Sequence, residues 1–502
     1  MRKILPGRGL ARLKARSLAG DLRKAAHALA DRVGWERVGV LDAETALYAS
    51  DAGMSRRRPV LVVFPETTDE VAEIVRICRR HGLRFTARGA GTGLAGGAVA
   101  APGGVVVSLK RMDRILDVDV PDRCAWVQPG LVNLELSRAL EPYGFHFAPD
   151  PSSQAVCTLG GNVANNAGGP HCLLYGTTSA HILAIEVVLP SGEVAVLGSG
   201  AAETDGYDLR GVFVGSEGMC GIATRICVRL TPNPPAVATM LATFADAIDA
   251  SRATSGVIAA GIVPAALELM DGPMCQAVAA FLATDDYPSD GGSALIVEVD
   301  GGPAAVEERV RLVTEVLRRH GAREIRRARD SAERDRFWKG RKSAFGAVGR
   351  IASRYYLHDC VVPRTRLAEV LEGVYAIAAR HRLRVVNVFH AGDGNLHPLL
   401  VFDLDDPNIA ERVEAAGREI VELCVSAGGV LTGEHGVGLE KREYMPLLFT
   451  EDDLEAQAAI PRAFDPDARC NPDKVFPTGT RCGDIVELGH AAADTAASGL
   501  WI

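Results

Sequence analysis

A chain of 502 residues is about three times the size of a typical domain, so we expect two or three domains. Its apolar fraction of 47 % and charged fraction of 24 % are those of a globular protein rather than a disordered one. The net charge of −8 excludes the global basic field that nucleic-acid binding would need. No transmembrane helix is expected, because the longest uncharged stretches are interrupted by glycine, asparagine and serine.

The 11 cysteines are scattered along the chain, and no C-x-x-C pair occurs. This excludes an iron–sulfur run and a C-x-x-C structural zinc site within the chain, and it predicts reduced thiols in a cytoplasmic protein. Residues 1–20 are basic, but no apolar segment follows them, so we expect a solvated tail and not a secretory signal. The Ala- and Gly-rich end at 478–502 predicts a second, mobile tail.

The first predicted elements form a strand–helix–strand unit. A β-branched run at 60–64 predicts a strand, and Thr67 with Glu70 three residues later predicts a capping box at the start of a helix. Gly82 ends that helix, and the next predicted strand covers 83–87. A Gly-rich loop follows directly. The later elements of the first half are predicted at 105–109, around Trp126, at 131–142 and at 182–189.

The Thr-Pro-Asn-Pro-Pro run at 231–235 predicts a domain boundary. Beyond it, helices and strands alternate in the manner of an α+β domain, for which we expect helices on one face of a sheet. The helices are predicted at 246–260, 304–320, 366–381, 408–426, 439–447 and 450–463, and the strands at 294–300, at 323–328 and on either side of 392–394.

The sequence RGAGTGLAGG at 88–97 carries glycines 91, 93 and 96 in the G-x-G-x-x-G spacing of the dinucleotide fingerprint. A β run follows this loop where a Rossmann fold would have a helix, so the context does not fit a Rossmann fold. We predict instead a nest of backbone N–H groups that holds a pyrophosphate, with Arg88 adding positive charge. The alternative is a flexible glycine loop without a ligand.

Three further segments are rich in Gly, Ser and Asn: PDPSS at 149–153, GGNVANNAGG at 160–169 and GSEG at 215–218. Each of them alone is typical of a plain turn. The stretch 151–185 contains no Asp, Glu, Lys or Arg, and a backbone-lined cofactor cavity explains its Gly and Asn content better than a buried apolar core does. Together with the glycine loop, these segments predict a site for an extended dinucleotide such as FAD.

His390 and His397 flank the sequence AGDGNL, whose glycines exclude a helix. Strand-like runs on both sides place the two histidines across a hairpin. With Glu434 from LTGEHGVG, they match a His₂Glu metal pattern that leaves one ligand position open, while His435 stays free to act as a base. The alternative is that these are polar histidines at turns.

Arg341 and Lys342 lie near the start of a predicted helix. From the residues alone, a solvated helix face is the preferred interpretation. The alternative is that the guanidinium binds a substrate carboxylate through two hydrogen bonds.

These motifs together resemble the FAD-linked oxidase family of the vanillyl-alcohol-oxidase type, in its D-2-hydroxyacid dehydrogenase branch. The resemblance is carried, in order, by VVFPETTDEV, ARGAGTGLAGGA, VQPG, APDPSSQ, GGNVANNAGG, YDLRGVFVGSEG, NVFHAGDGNLHP, LTGEHGVGLEKR and FDPDARCNPDKVFP. It implies an α+β fold with a two-subdomain FAD-binding domain, an α+β cap domain and a C-terminal helical segment that returns to the flavin. The implied ranges are 21–232, 233–430 and 431–477.

The resemblance also implies roles for single residues. His390, His397 and Glu434 would hold a divalent metal (Zn, Mn or Fe), and His435 would be the catalytic base. The residues assigned to FAD are Arg88, Gly89, Ala90, Gly91, Thr92, Gly93, Leu94, Pro149, Asp150, Ser152, Gly160, Gly161, Asn162, Asn166, Gly168, Gly169, Gly215, Glu217, Gly218, Ile222 and Asn471.

Arg341 and Asn395 match positions of the family that contact substrate. Relatives that act on a dicarboxylate carry a lysine near 357–359, and its absence here favours a monocarboxylate. Two departures from the family pattern concern the flavin: Met-Cys stands at 219–220 after GSEG in place of Thr-Leu, and Ala95 replaces a serine. Both would alter flavin contacts without abolishing binding.

The resemblance implies oxidation of a small 2-hydroxy acid, glycolate or D-lactate, by metal-assisted proton abstraction and hydride transfer to non-covalently bound FAD. Because the chain has no cluster or haem motif, its electrons must pass to a separate carrier, which the family context identifies as an iron–sulfur subunit and then quinone. Attachment to the inner membrane would occur only through a partner. Two alternatives remain: a catalytically silent flavin-binding subunit, which would not need the histidine set, and a metallohydrolase, which would leave the Gly-rich half unexplained.

Overall fold

The computed structural model describes residues 12, 14–15, 18–200, 206–404 and 406–478. The tails expected at 1–20 and 478–502 therefore fall almost wholly outside the described residues. Among the residues described, no helix combines the length and the apolar character that crossing a membrane requires.

The first sheet is formed by four short strands, of which the last three run parallel to one another. They are β1 Val38–Gly39, β2 Leu61–Val63, β3 Phe85–Arg88 and β4 Val105–Ser108, and their order in the sheet is β1-β2-β4-β3. The helices Gly20–Val33 and Thr68–Arg80 bury their apolar faces against this sheet. The parallel strands are buried at every residue except Ala87, because the sheet is covered on both faces.

The helix Thr68–Arg80 forms only half of the predicted capping box. Thr67 Oγ1 accepts the backbone N–H of Glu70 at 3.2 Å, as expected. The Glu70 carboxylate, however, binds the guanidinium of Arg37 and accepts the N–H of Glu66 at 2.7 Å. A charged donor with two N–H groups makes a stronger partner for a carboxylate than one backbone amide does, so the side chain turns away from the N-cap.

The second sheet is antiparallel and has five strands in the order β5-β6-β10-β8-β9. Its strands are β5 Ile115–Asp119, β6 Cys124–Val127, β8 Ile182–Val188, β9 Val194–Gly198 and β10 Ile222–Arg229, while β7 Phe145–His146 pairs separately with β11 Thr231–Pro232. The helices of this part are Asn133–Leu140, Leu159–Asn165, Cys172–Tyr175 and Leu209–Phe213. Part of the GGNVANNAGG segment is therefore helical.

The third sheet has nine antiparallel strands, all of which follow the Thr-Pro-Asn-Pro-Pro run at 231–235. They are β12 Ala236–Phe244, β13 Ala266–Met270, β14 Ser293–Gly301, β15 Glu324–Arg327, β16 Arg354–Leu357, β17 Cys360–Val361, β18 Arg384–His390, β19 Asn395–Leu396 and β20 Pro398–Phe402. Their order is β15-β12-β14-β13-β18-β19-β17, and β20 pairs with both β16 and β18.

Helices cover both faces of this third sheet. One face packs against the helices Ala247–Ala259, Pro303–Arg319, Leu367–Arg380 and Ile409–Ser426. The other face packs against the helices Gly272–Leu282, Ser331–Lys342 and Ala344–Val348. The expectation of helices on one face is therefore wrong. In a sheet with one solvent-exposed face, buried and exposed residues alternate along each strand. The residues of β13 and β14 are instead buried almost without interruption, as covered faces on both sides require.

The last described segment returns to the first sheet. Its helix Glu451–Phe464 begins with a complete capping box between Thr450 and Asp453. The helix predicted at 439–447 is reduced to a 3₁₀ helix over Arg442–Leu447, which contains Pro446. Beyond these helices, the Asn471 N–H donates to the carbonyl of Phe85 in β3 at 2.7 Å.

Candidate functional site

A cavity of about 390 Å³ lies where the three sheets and the returning segment meet. Its wall includes the glycine loop after β3, the start of the helix Leu159–Asn165, the turn before β10 and side chains of the third-sheet region. A concave site between domains, lined largely by backbone and apolar groups, is typical of a cofactor pocket.

The glycine loop runs from β3 to β4 without an intervening helix, as expected. Gly91 has φ +74° and Gly96 has φ +79°, a left-handed backbone that side chains with a Cβ rarely adopt. A Cβ at Gly91 would overlap the Arg88 guanidinium. A Cβ at Gly93 would meet only the amide of Asn165, at 3.4 Å, so this glycine keeps the space of the cavity open.

Four buried polar atoms on the cavity wall have no hydrogen-bond partner among the described residues. They are Arg88 Nη1, Thr158 Oγ1, Asn162 Nδ2 and Ser216 Oγ. Buried polar groups in folded proteins are almost always hydrogen-bonded, so these atoms fit a polar ligand that completes them. A cationic nitrogen and several small neutral groups around one backbone-lined cavity suit the phosphates and heteroatoms of FAD.

Most residues that the sequence assigned to FAD lie on this wall: Arg88, Gly89, Ala90, Gly91, Thr92, Gly93, Leu94, Ser152, Gly160, Gly161, Asn162, Gly168, Glu217, Gly218 and Ile222. Six assigned residues lie behind it: Pro149, Asp150, Asn166, Gly169, Gly215 and Asn471. The side-chain hydrogen bonds that they make go to the protein itself, while the buried Asn471 Oδ1 has no partner among the described residues. Asn166 Oδ1 accepts the N–H of Ser179, and Asn471 Nδ2 donates to the carbonyls of Gly97 and Glu217. These residues support the wall rather than forming it.

Sequence reasoning missed several residues of the wall. Asn165 and Ser216 lie inside the recognised segments and Thr158 lies just before one of them, so all three were within reach of the same argument. Phe345 and Tyr355 lie far from any Gly-rich segment, and no local pattern marks them, whereas Pro129 belongs to the VQPG motif and Lys342 was considered only as part of a helix face.

The two histidines and Glu434 come together as the spacing suggested. His390 ends β18, and His397 lies between β19 and β20 across the hairpin. Glu434 Oε1 is 3.0 Å from His390 Nε2 and 3.7 Å from His397 Nε2. Their ligand atoms all lie within 4.8 Å of one another. Two imidazole nitrogens and one carboxylate are a donor set that fits Zn, Mn or Fe and leaves further positions for substrate.

The charges of this group suit metal binding and proton transfer. Burial alone would raise the pKa of Glu434, but His390 and the neighbouring imidazoles bring it down to about 2, so the carboxylate is anionic. Burial lowers the pKa of His435 to about 4, so its imidazole is neutral at pH 7 and can accept a proton. His435 stacks on His397 with ring centroids 5.0 Å apart, and both line the cavity.

Asp359, which sequence reasoning did not assign, organises the loop that carries Glu434 and His435. It is fully buried and accepts the N–H groups of Gly433 at 3.1 Å and His435 at 3.0 Å. Its Oδ1 also accepts from Asn395 Nδ2 at 2.8 Å. Asn395 therefore lies behind the wall, with its amide donated to Asp359 rather than to the cavity. Asp359, His397 and His435 form a second group of closely spaced potential ligands.

Arg341 lies away from the cavity wall. Its side chain is fully buried, and its Nε donates to Glu268 Oε2 at 2.7 Å. The preferred interpretation of Arg341 as part of a solvated helix face is therefore wrong, because the helix Ser331–Lys342 packs this side of its last turn onto the third sheet. Its neighbour Lys342 is exposed and reaches the cavity wall.

Solved structures share this fold. The structure titled p-cresol methylhydroxylase with substrate bound matches with a TM-score of 0.75 at 17% identity, covering 91% of this chain and 97% of that one. A 4-ethylphenol oxidase from Gulosibacter chungangensis matches with a TM-score of 0.76 at 18% identity, covering 92% and 99%. The α+β fold of the vanillyl-alcohol-oxidase type is thereby confirmed.

Sequence comparison identifies the family. Residues 59–198 match the family model described as "FAD binding domain", and residues 233–475 match "FAD linked oxidases, C-terminal domain". The chain is 45% identical over 455 residues to "Glycolate oxidase subunit GlcD" of Escherichia coli (strain K12), covering 89% of this chain and 91% of that protein. It is 36% identical to the protein of that name from Bacillus subtilis (strain 168), covering 88% and 94%. A "D-lactate dehydrogenase" of Anaerostipes hadrus is 31% identical, covering 86% and 91%. With relatives this similar over nearly their whole length, the chain belongs to the FAD-linked oxidases, and its cofactor is FAD.

Proposed function

We propose that this protein oxidises a small 2-hydroxy acid, glycolate or D-lactate, to the 2-oxo acid. One observation carries the proposal: the same cavity wall contains the glycine loop of the first half and His397, Glu434 and His435 of the second. A silent flavin-binding subunit needs only the first set, and a metallohydrolase needs only the second. The names of the relatives, which refer to glycolate and D-lactate, support this substrate class.

FAD, when bound, supplies an acceptor for the hydride equivalent of the substrate carbon. His390, His397 and Glu434 would hold a divalent metal, which would supply Lewis acidity toward the substrate hydroxyl. His435, neutral at pH 7 and on the cavity wall, takes the hydroxyl proton.

The cations of the wall favour a monocarboxylate. Among the described residues that line the cavity, the lysine and arginine side chains are those of Arg88 and Lys342. Arg88 belongs to the glycine loop, which leaves Lys342 as the partner for one substrate carboxylate. A second, distal carboxylate would lose its water without gaining a cation.

The electrons then leave to a separate acceptor. Similarity to proteins named as subunits supports a complex, in which we place an iron–sulfur subunit and then quinone. In this proposal the protein is cytoplasmic and reaches the membrane only through that partner. The same proposal includes the division of the chain into an FAD-binding domain at 21–232, a cap domain at 233–430 and a C-terminal segment at 431–477.

Anaerobic bleaching of the bound flavin tests the substrate class. Glycolate and D-lactate should reduce the flavin, and D-2-hydroxyglutarate should do so poorly. In air without dye, turnover should be slow because oxygen is not the proposed acceptor. Flavin that no 2-hydroxy acid reduces would support the silent subunit, and faster reduction by D-2-hydroxyglutarate would overturn the monocarboxylate assignment.

A further inference from the structure

Glu268 lies directly behind the candidate metal ligands. It belongs to β13, and the register of β13 with β18 places Glu268 opposite His390. Its Oε1 lies 2.7 Å from His390 Nδ1, while its Oε2 accepts from Arg341 Nε at the same distance of 2.7 Å. The side chains of all three residues are nearly inaccessible, with 0 % exposure for Glu268.

We propose that Glu268 is a positioning residue of the metal site, which rests on the proposed function. A carboxylate has no proton to donate when it is ionised, so His390 Nδ1 must carry the proton of that hydrogen bond. With Nδ1–H held by Glu268, the proton that a metal would displace is the one on Nε2, the atom 3.0 Å from Glu434 Oε1, and its loss leaves the lone pair of the imidazole there. Glu268 thereby holds His390 in the tautomer and orientation that binding a metal beside Glu434 requires.

Arg341 acts through Glu268 in this arrangement. An ionised carboxylate without a partner is strongly unfavourable in the protein interior, and the guanidinium provides the opposite charge. A chain of hydrogen bonds leads toward the cavity. It joins Arg341 to Glu268, Glu268 to His390, and His390 to Glu434. Arg341 is thus a second positioning residue, and the substrate contact that the family resemblance assigned to it stays a prediction, since its buried Nη2 has no hydrogen-bond partner among the described residues.

The test is the metal affinity of Glu268→Gln in flavin-loaded protein. Gln has one oxygen and one amide N–H₂ in place of two acceptors, so it cannot accept from both His390 and Arg341. Zn²⁺ and Mn²⁺ are titrated separately, each against a competing chelator, and FAD content and thermal unfolding are measured on the same samples. We expect a metal dissociation constant weaker by roughly 10–100-fold, with FAD content unchanged.

Glu298→Gln is the matched control. Glu298 is a second buried glutamate of the same sheet. It binds His171 and Arg334, and it also accepts from Thr239 and Trp338. It touches none of the candidate metal ligands. The control should lose thermal stability to a similar extent. Its metal dissociation constant should stay within about threefold of wild type, a smaller change than the one expected of Glu268→Gln.

A second variant, Glu268→Asp, provides the test if Glu268→Gln folds poorly. Glu268→Asp keeps the charge for Arg341 but withdraws the carboxylate from His390, and it should also weaken metal binding. Metal affinity within threefold of wild type in Glu268→Gln or Glu268→Asp would overturn the inference, as would an equal loss in Glu298→Gln or a wild type that binds neither metal.

Failure of the proposed function gives a different result. In that case no 2-hydroxy acid bleaches the wild-type flavin, while Glu268→Gln still weakens metal binding. The substrate assignment and the role of Glu268 are therefore tested separately.

Discussion

Glu217 and Gly438, which are 221 positions apart in the chain, are joined by a 2.8 Å hydrogen bond from the Gly438 N–H to Glu217 Oε2. The other oxygen of the same carboxylate accepts the N–H of Val437 at 2.7 Å. Glu217 belongs to the turn before β10 and is itself part of the cavity wall. The carboxylate thus ties the loop that follows His435 to the flavin side of the cavity.

Glu217→Gln should lower the free energy of unfolding by about 1–3 kcal/mol, the usual cost of a buried N–H left without an acceptor. FAD should also dissociate faster, because the wall on both sides of the cavity loosens. Denaturant unfolding and the rate of flavin release measure the two effects. Glu193→Gln, in a turn of the same sheet, is the control, and equal stability of both variants would contradict the prediction.

Gly93→Val should give a folded but colourless protein. The added side chain points into open cavity space, with only the Asn165 amide at 3.4 Å, so it takes the room of the cofactor without a clash in the protein. The ratio of flavin to protein absorbance reports the loss, and circular dichroism reports the fold. Gly302→Val, where nothing lies within 4 Å, should stay yellow. Full flavin content in Gly93→Val would mean that FAD does not use this loop.

His390→Ala and His397→Ala should lose the metal and turnover while the flavin stays bound. The glycine loop and the histidines come from different halves of the chain, so removing an imidazole leaves the FAD wall intact. Metal analysis and visible absorbance on the same sample check this. His381→Ala, a histidine bound to Glu419, should keep its metal. Full metal occupancy in both site variants would contradict the assignment of these ligands.

His435→Ala should keep both metal and flavin and reduce the rate of flavin reduction roughly 10²–10⁴-fold, the usual contribution of a general base. The neutral imidazole that burial favours is the form that accepts the proton. Stopped-flow reduction with D-lactate or glycolate is the measurement. An unchanged rate would exclude His435 as the base, and loss of metal would place it among the ligands instead.

The contact between the two halves at His171 should depend on pH. Burial alone would lower the pKa of His171, but Asp150 at 2.7 Å and Glu298 at 3.1 Å raise it to about 10. Because this value lies above the unfolded value of about 6.5, the stabilisation is complete below about pH 6.5 and is lost as the pH rises through about 10.

The difference in unfolding free energy between wild type and His171→Ala should therefore be larger at pH 6 than near pH 10. Denaturant titrations at a series of pH values measure it. A His171 effect that grows with pH would contradict the charged interaction.

The sequence by itself identified the family and the Gly-rich segments of the cavity wall. Glycines in a loop between two strands encode backbone conformations that only glycine adopts readily, so Gly91 could be assigned locally. The hairpin between His390 and His397 is likewise local, since two glycines in the six residues between them exclude an α-helix. The sequence offered Glu434 only as a proposed third ligand beside the two histidines. The structure places its carboxylate beside both imidazoles.

Only the tertiary structure decided which charged residues face the cavity. Arg341 and Lys342 are adjacent, yet one binds Glu268 in the interior and the other reaches the wall, because the rotation of their helix against the third sheet separates them. Likewise, Glu268 meets His390 through the register of β13 with β18, which brings together residues 122 positions apart. Spacing along the chain carries no information about such pairings, since register depends on how whole strands and domains pack.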